Sequence, residues 1–299
     1  MPIDENLSIL SSVLLSFQEP RKSRLNRAID SIRGALHVFN RPREVVFSFN
    51  GGKDSTLVLH LLRLVLQSTP SGGHKRSFGE EDVRIVYFEP PPESPNFDEV
   101  LSFISKTEEL LGIRIDTLRG GFKAGMTELI NQGARCVIVG TRRTDPDGRY
   151  LDGEFCPTSL NWPPMMRVCP ALDLTYSDVW AVLRGANLPF CSMYSDGYTS
   201  IGSIHDTKKN PSLLIPLVSD NVEENNKEQE SVYALEKDAG EEAVRGMVSI
   251  TQSVGSSLST LTIEKQQMAI FISEATDGKR THLPAWFLDS DDLERLGRK

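Results

Sequence analysis

Residues 48 to 56 read SFNGGKDST and directly follow the apolar run EVVF. Two adjacent glycines, a lysine and an aspartate thus stand at the mouth of a strand candidate. Glycine leaves backbone N–H groups accessible and permits conformations closed to other residues. A helix that begins just after such a turn aims its unpaired N–H groups and positive dipole end outward. Lys53 adds a mobile full charge. Together these parts suit a polyanion, and a phosphate chain above all. The spacing is neither G-x-x-x-x-G-K-[ST] nor G-x-G-x-x-G, so mononucleotide P-loop and dinucleotide fingerprint readings both fail. The plain alternative is a strand-to-helix turn whose glycines serve geometry alone. Ser48, Asn50, Lys53, Asp54 and Ser55 around it weigh against that alternative.

The elements that must position this turn follow from periodicity. Leu25, Ile29, Ile32, Leu36 and Phe39 recur at helical spacing, so a helix over 21–39 precedes the first strand at about 44–49. STLVLHLLRLVLQ reads as a mostly buried helix, and TPSGGHKRSFGEED as a solvated loop. VRIVYFE, IRIDTL and ARCVIVG read as further strands, separated by helices at NFDEVLSFISKTEELLG and FKAGMTELINQG. Strands alternating with helices imply a parallel sheet built from right-handed crossovers. Ligands of such sheets sit beyond the carboxyl ends of the strands. SFNGG, FEPPP, LRGGF and GTRRTDPDG all fall there.

From about Thr141 to Leu217 the alternation fades, leaving one helix at YSDVWAVLRGA in a segment rich in Pro, Gly and aromatics. Irregular segments of that length are commonly functional or disordered, and the aromatics argue against disorder. Residues from about 219 to 278 change composition: NVEENNKEQE is acidic and SVGSSLSTLT serine-rich, as in a surface insertion or linker. The expected organisation is therefore an N-terminal helical segment (1–42), a nucleotide-binding domain (43–217), an insertion (218–280) and a closing segment (281–299).

Composition narrows the function classes. The chain has 299 residues and a net charge of -8, from 33 basic and 41 acidic side chains, which argues against a general nucleic-acid binder. MPIDENLSIL lacks a signal peptide's basic start and apolar core, and no apolar run approaches the roughly 20 residues of a membrane span. Cys136, Cys156, Cys169 and Cys191 make no C-x-x-C pair, so neither zinc nor a disulfide framework is indicated. The expectation is a reduced, cytoplasmic monomer that works on small molecules, without nucleic-acid or membrane partners.

The turn SFNGGKDS resembles the PP-loop of the ATP pyrophosphatase superfamily in its phosphoadenylyl-sulfate reductase-like branch. Five further stretches narrow the likeness: GTRRTDP (140–146), NWPPMMRVCP (161–170), LPFCSMYSDGYTSIGS (188–203), the TKKNPSL that follows, and PAWFLDSDDLERLGR (284–298). Together they closely resemble eukaryotic FMN adenylyltransferases (FAD synthetases), over roughly 23–217 and the last fifteen or so residues. The resemblance implies a three-layer α/β/α fold with a mostly parallel sheet, adenine nucleotide α-hydrolase-like, and an irregular C-terminal flavin-binding segment. It implies attack of an FMN phosphate oxygen on the α-phosphorus of ATP, giving FAD and pyrophosphate, with Mg²⁺ bridging phosphate oxygens.

By resemblance, Ser48, Gly51, Gly52, Lys53, Asp54 and Ser55 hold the ATP phosphates, Asn50 orients the α-phosphate, and Asp54 also carries the metal. Asp54 equally suits a helix N-cap. Phe88 lies where the superfamily reads adenine, although aromatics at strand ends are usually packed in the core. Arg142 and Asp145 belong to the loop that contacts flavin; their plain reading is an Asp-Pro turn beside solvated arginines. Trp162 offers a stacking face and Arg167 a planar fork for phosphate. Tyr194 and Tyr198 stand on a loop of hydroxyls on the flavin or phosphate side, whereas Trp180 reads as core. Arg295 and Arg298 match the family's paired arginines and would share a face if their segment is helical; a solvated basic tail is their plain reading. One departure stands out: Ser159 occupies a position, three before the tryptophan of NWP, where the family often carries an acid.

Thiol-dependent sulfate reduction is disfavoured, because no cysteine follows Cys191. tRNA thiolation would want paired reactive cysteines and a basic surface. A sulfate adenylyltransferase subunit leaves the flavin-type motifs unexplained. A non-catalytic flavin or nucleotide sensor is the alternative that Ser159 supports and the complete NGGKDS turn opposes.

Overall fold

Strands β1 (Val45–Ser48), β2 (Val83–Phe88), β3 (Ile115–Leu118) and β4 (Cys136–Ile138) form the parallel centre of the sheet. They alternate with helices α3 (Lys53–Ser68), α4 (Asp98–Leu111) and α5 (Gly121–Asn131), as their periodicities require. The computed structural model describes residues 3–68, 78, 82–215, 267, 271 and 281–298; the expected insertion at 218–280 and most of the loop after α3 lie outside them.

Two strands go beyond the sequence reading. β5 (Phe155–Pro157) pairs antiparallel with β6 (Met166–Val168), which runs parallel beside β4, and the sheet order is β3-β2-β1-β4-β6-β5. Each is three residues long, too short for a period-two pattern to register. The segment after Thr141 is therefore less irregular than expected.

Val46 and Val86 point into a core that α5 closes with Met126 and Leu129. Their strand neighbours face the other side, where Phe47, Phe49 and Phe103 of α4 make successive ring contacts at 6.3 and 6.2 Å. Helices thus cover both faces, and the three-layer α/β/α expectation holds. Helix α3 is buried nearly all round, as its unbroken apolar stretch predicts. It packs against α1 (Ile3–Ser16), α2 (Arg21–Val38) and α6 (Tyr176–Gly185). Helix α6 opens on a capping box of Thr175 and Asp178. The fully buried Asp178 also receives Arg21 at 2.9 Å and Arg24 at 2.6 Å, which ties α2 to α6.

The chain divides into two compact units. One comprises residues 1–194, 200–207 and 298–299; the other comprises 195–199 and 208–297. Helices α1 and α2 thus belong with the sheet rather than to a separate N-terminal segment. Among the described residues no helix is long and apolar enough to cross a membrane. All four cysteines are free thiols.

Candidate functional site

From β1 the chain runs to β2 and β3 on one side, and later through β4 to β6 and β5 on the other. The order therefore reverses between β1 and β4, the crevice where open α/β sheets take their ligands. The glycine turn stands at the end of β1 and the 140–148 loop at the end of β4. Gly140 brings them together: a Cβ there would lie 2.7 Å from the Ser55 backbone nitrogen.

The turn itself is held by its own side chains. Asn50 Oδ1 accepts from the Gly52 N–H at 3.0 Å and from the Ser55 hydroxyl at 2.6 Å. Gly51 sits at φ 73°, against Val100 and Ile104 of α4, so both its conformation and its surroundings require glycine. Helix α3 begins at Lys53, one residue before Asp54, which corrects the N-cap expectation for that aspartate. The Ser55 hydroxyl is turned inward, also lying 3.0 Å from the Gly52 carbonyl. Ser48 closes β1, half-buried.

Three charges form a knot beneath the turn. Lys53 is only 2% exposed; its Nζ lies 2.9 Å from Asp54 Oδ2 and over the rings of Tyr176 and Tyr194, at 5.2 and 5.9 Å. This corrects the expectation of a mobile charge. Arg142, fully buried, sets its Nε 2.7 Å from Asp54 Oδ1. Arg143 meets Asp173 at 2.7 Å and the Leu151 carbonyl at 2.9 Å, so neither arginine is merely solvated. Burial works to raise the Asp54 carboxyl, yet Arg142 and then Lys53 hold it below the usual carboxylate range. Asp145 Oδ2 accepts from the Arg142 N–H at 2.8 Å, and burial followed by the Asp54 charge pushes its carboxyl up. The turn reading of Asp145 is therefore realised, within reach of the knot's charges.

Both oxygens of Asp54 face cations, Oδ2 toward Lys53 and Oδ1 toward Arg142. Among the described residues no three His, Cys, Asp or Glu side chains gather as a metal site.

On the loop of hydroxyls, Tyr194 is turned toward the glycine turn. It is buried, and its hydroxyl accepts from the Lys53 backbone N–H at 2.9 Å. Trp180 is core, as expected, with edge contacts to Tyr176, Phe190 and Tyr194. Phe88 ends β2 and packs on Gly125, where a Cβ would lie 2.6 Å from its ring. Its other neighbour, Phe122, stands 4.3 Å away and lies 6.0 Å from the exposed Trp162, whose ring Lys123 Nζ also overlies at 6.0 Å. Phe122 escaped the sequence reading although LRGGF marked its loop. Arg167 lies on β6 opposite Val137, with its Nε buried and no hydrogen-bond partner. Ser159 is exposed, and its carbonyl accepts from the Trp162 N–H at 3.0 Å.

The C-terminal arginines do not share a helical face. Arg298 pairs as a bridge with Thr207, and its Nη2 meets Asp206 Oδ2 at 2.8 Å across Gly202, where a side chain would overlap the guanidinium. Arg295 follows a single 3₁₀ turn at Asp291–Leu293 and belongs to the second unit. In that unit Asn210 donates to Thr199 Oγ1 and the Leu293 carbonyl, both at 2.8 Å, and the half-buried Tyr198 stands between Gly197 and Thr199. Asp206 and Tyr176 carried no site signal in the sequence, because each matters only through a distant partner, Arg298 and Lys53.

The family model of the phosphoadenosine phosphosulfate reductase domain matches residues 122–209. A probable FAD synthase of Caenorhabditis briggsae is 37% identical over 204 residues, covering 68% of this chain and 36% of that protein. The chain thus spans about a third of the length of that worm relative. A probable FAD synthase of Schizosaccharomyces pombe is 30% identical over 203 residues, covering 65% of this chain and 72% of that protein. Among solved structures, yeast FAD synthetase in complex with FAD superposes with a TM-score of 0.64 at 25% identity, over 99% of this chain and 98% of that one.

Proposed function

The chain belongs to the FAD synthase family, and from that premise we propose that it transfers the adenylyl group of ATP to FMN, giving FAD and pyrophosphate. The observation that carries this reading is the braced glycine turn at the β1/β4 reversal, above a buried Lys53–Asp54–Arg142 knot. In this reading the β- and γ-phosphates rest on the turn and the first turn of α3, where backbone N–H groups and the helix dipole favour anions. Asn50 orients the α-phosphate. Lys53 and Arg142 act from below, as fixed positive charge in a dry setting where it counts for more than in water.

FMN takes the other side of the crevice. Trp162 gives its ring a stacking face, and Asp145, whose carboxyl is pushed up, accepts from the flavin edge. Arg167 brings an unsatisfied Nε toward phosphate, and Phe88 flanks the adenine. An FMN phosphate oxygen attacks the α-phosphorus, the α–β bridging bond breaks, and its electron pair leaves with pyrophosphate. Arg298 neutralises that departing charge. Mg²⁺ arrives on the ATP phosphates as part of the substrate, beside the Asp54 carboxylate. Burial opposes thiolate formation at three of the cysteines: it pushes Cys136 and Cys169 up to about 12 and also raises Cys191.

The test is a chromatographic assay of the purified chain with FMN, ATP and Mg²⁺. FAD and pyrophosphate should appear in equal amounts. Binding of both substrates with no FAD formed would end the adenylyl-transfer reading.

A further inference from the structure

Tyr194 lies 141 residues beyond Lys53, yet its hydroxyl accepts that residue's backbone N–H at 2.9 Å. Its ring stands 5.9 Å below the Lys53 ammonium, and a Cβ on Gly52 would come within 3.7 Å of its oxygen. The side chain is 2% exposed and burial pushes its phenol up, so the hydroxyl stays neutral and remains an oxygen acceptor for the amide. Trp180, at 5.3 Å and 75°, fixes the ring from the side.

We infer that Tyr194 is a positioning residue for the phosphate-binding turn: it holds the Lys53 main chain from beneath, so that the turn is shaped before ATP arrives. Asn50 braces the turn's open side through Gly52 and Ser55, and Gly51 supplies the left-handed corner. Tyr194 supplies the remaining restraint, at the first residue of α3. Removing its oxygen deletes that hydrogen bond to the Lys53 main chain, and the turn loses a restraint on its shape. ATP must then order the turn as it binds, which lowers affinity. The flavin side has no such dependence. This inference rests on the ATP-binding reading of the turn.

Tyr194→Phe keeps the ring and deletes only the oxygen. Calorimetric titration with a non-hydrolysable ATP analogue should show about tenfold weaker binding, the equivalent of one lost buried hydrogen bond, while FMN binding stays within about twofold. Leu129→Ala, in the core that α5 closes, should lower the melting temperature and leave analogue binding unchanged. The inference is overturned if Tyr194→Phe binds the analogue as tightly as the parent, if both ligands weaken equally, or if the parent binds no analogue. Because the titration needs no turnover, a parent that binds the analogue yet forms no FAD would end the proposed function and leave this inference standing.

Discussion

Asp54 illustrates how a single residue's role depends on its neighbours. Its carboxylate separates two buried cations, Lys53 and Arg142, that would otherwise repel each other in a setting that solvates neither. Replacing it with asparagine keeps the shape and removes the counter-charge. Asp54→Asn should therefore lose about 3 kcal/mol of folding stability in denaturant titration, together with any turnover. Unchanged stability would show that the carboxylate does not hold the knot together, and its role would have to be sought in the ligand.

Among elements, the decisive contact is the close approach of the β4 end to the first turn of α3. Gly140 permits it, because the nearest atoms are Ser55 and Asp54 backbone that cannot move aside cheaply. Gly140→Ala should cost about 1–3 kcal/mol of stability as the two segments are forced apart, with a measurable loss of ATP affinity as the turn is displaced. A crystal structure or affinity indistinguishable from the parent would show that the approach has slack. The α2–α6 tie through Asp178 works differently: it is ionic, and it fixes two helices that pack on α3.

At the scale of the molecule, pH reports on the buried groups together. Burial, then the charge of Arg63, depresses His60 to about 3, with Arg63 Nη1 2.9 Å from its Nδ1. The unfolded chain takes up that proton near pH 6.5, so it binds more protons than the folded chain between those values. Stability must then rise with pH through that window and fall as pH drops from about 6.5 toward 3. The lowered carboxyls, Asp54, Asp178 and Asp206, contribute fully above about pH 4 and lose that contribution only below it. Acid destabilisation should therefore begin well above the carboxylate range, and His60→Gln should flatten the curve between about pH 6.5 and about pH 5. An unaltered curve would mean that His60 is not the group responsible.

Length, alternation and the SFNGGKDS turn by themselves determined the parallel α/β sheet, the position of the turn at the end of β1 and the stretches that mark the family. Those features are local: a strand, a helix and a tight turn each depend on residues within a dozen positions. Tertiary structure alone decided which side chains are buried and with which partners they pair. Lys53 and Arg142 proved buried and paired, Tyr194 proved to brace a turn 141 residues away, and Arg298 proved to be seated on Asp206. β5 and β6 likewise exist through pairing, since three residues carry too little pattern to announce a strand. The physical reason is common to all of them: burial and charge pairing are relations between distant segments, and no local spacing encodes which distant partner the fold will supply.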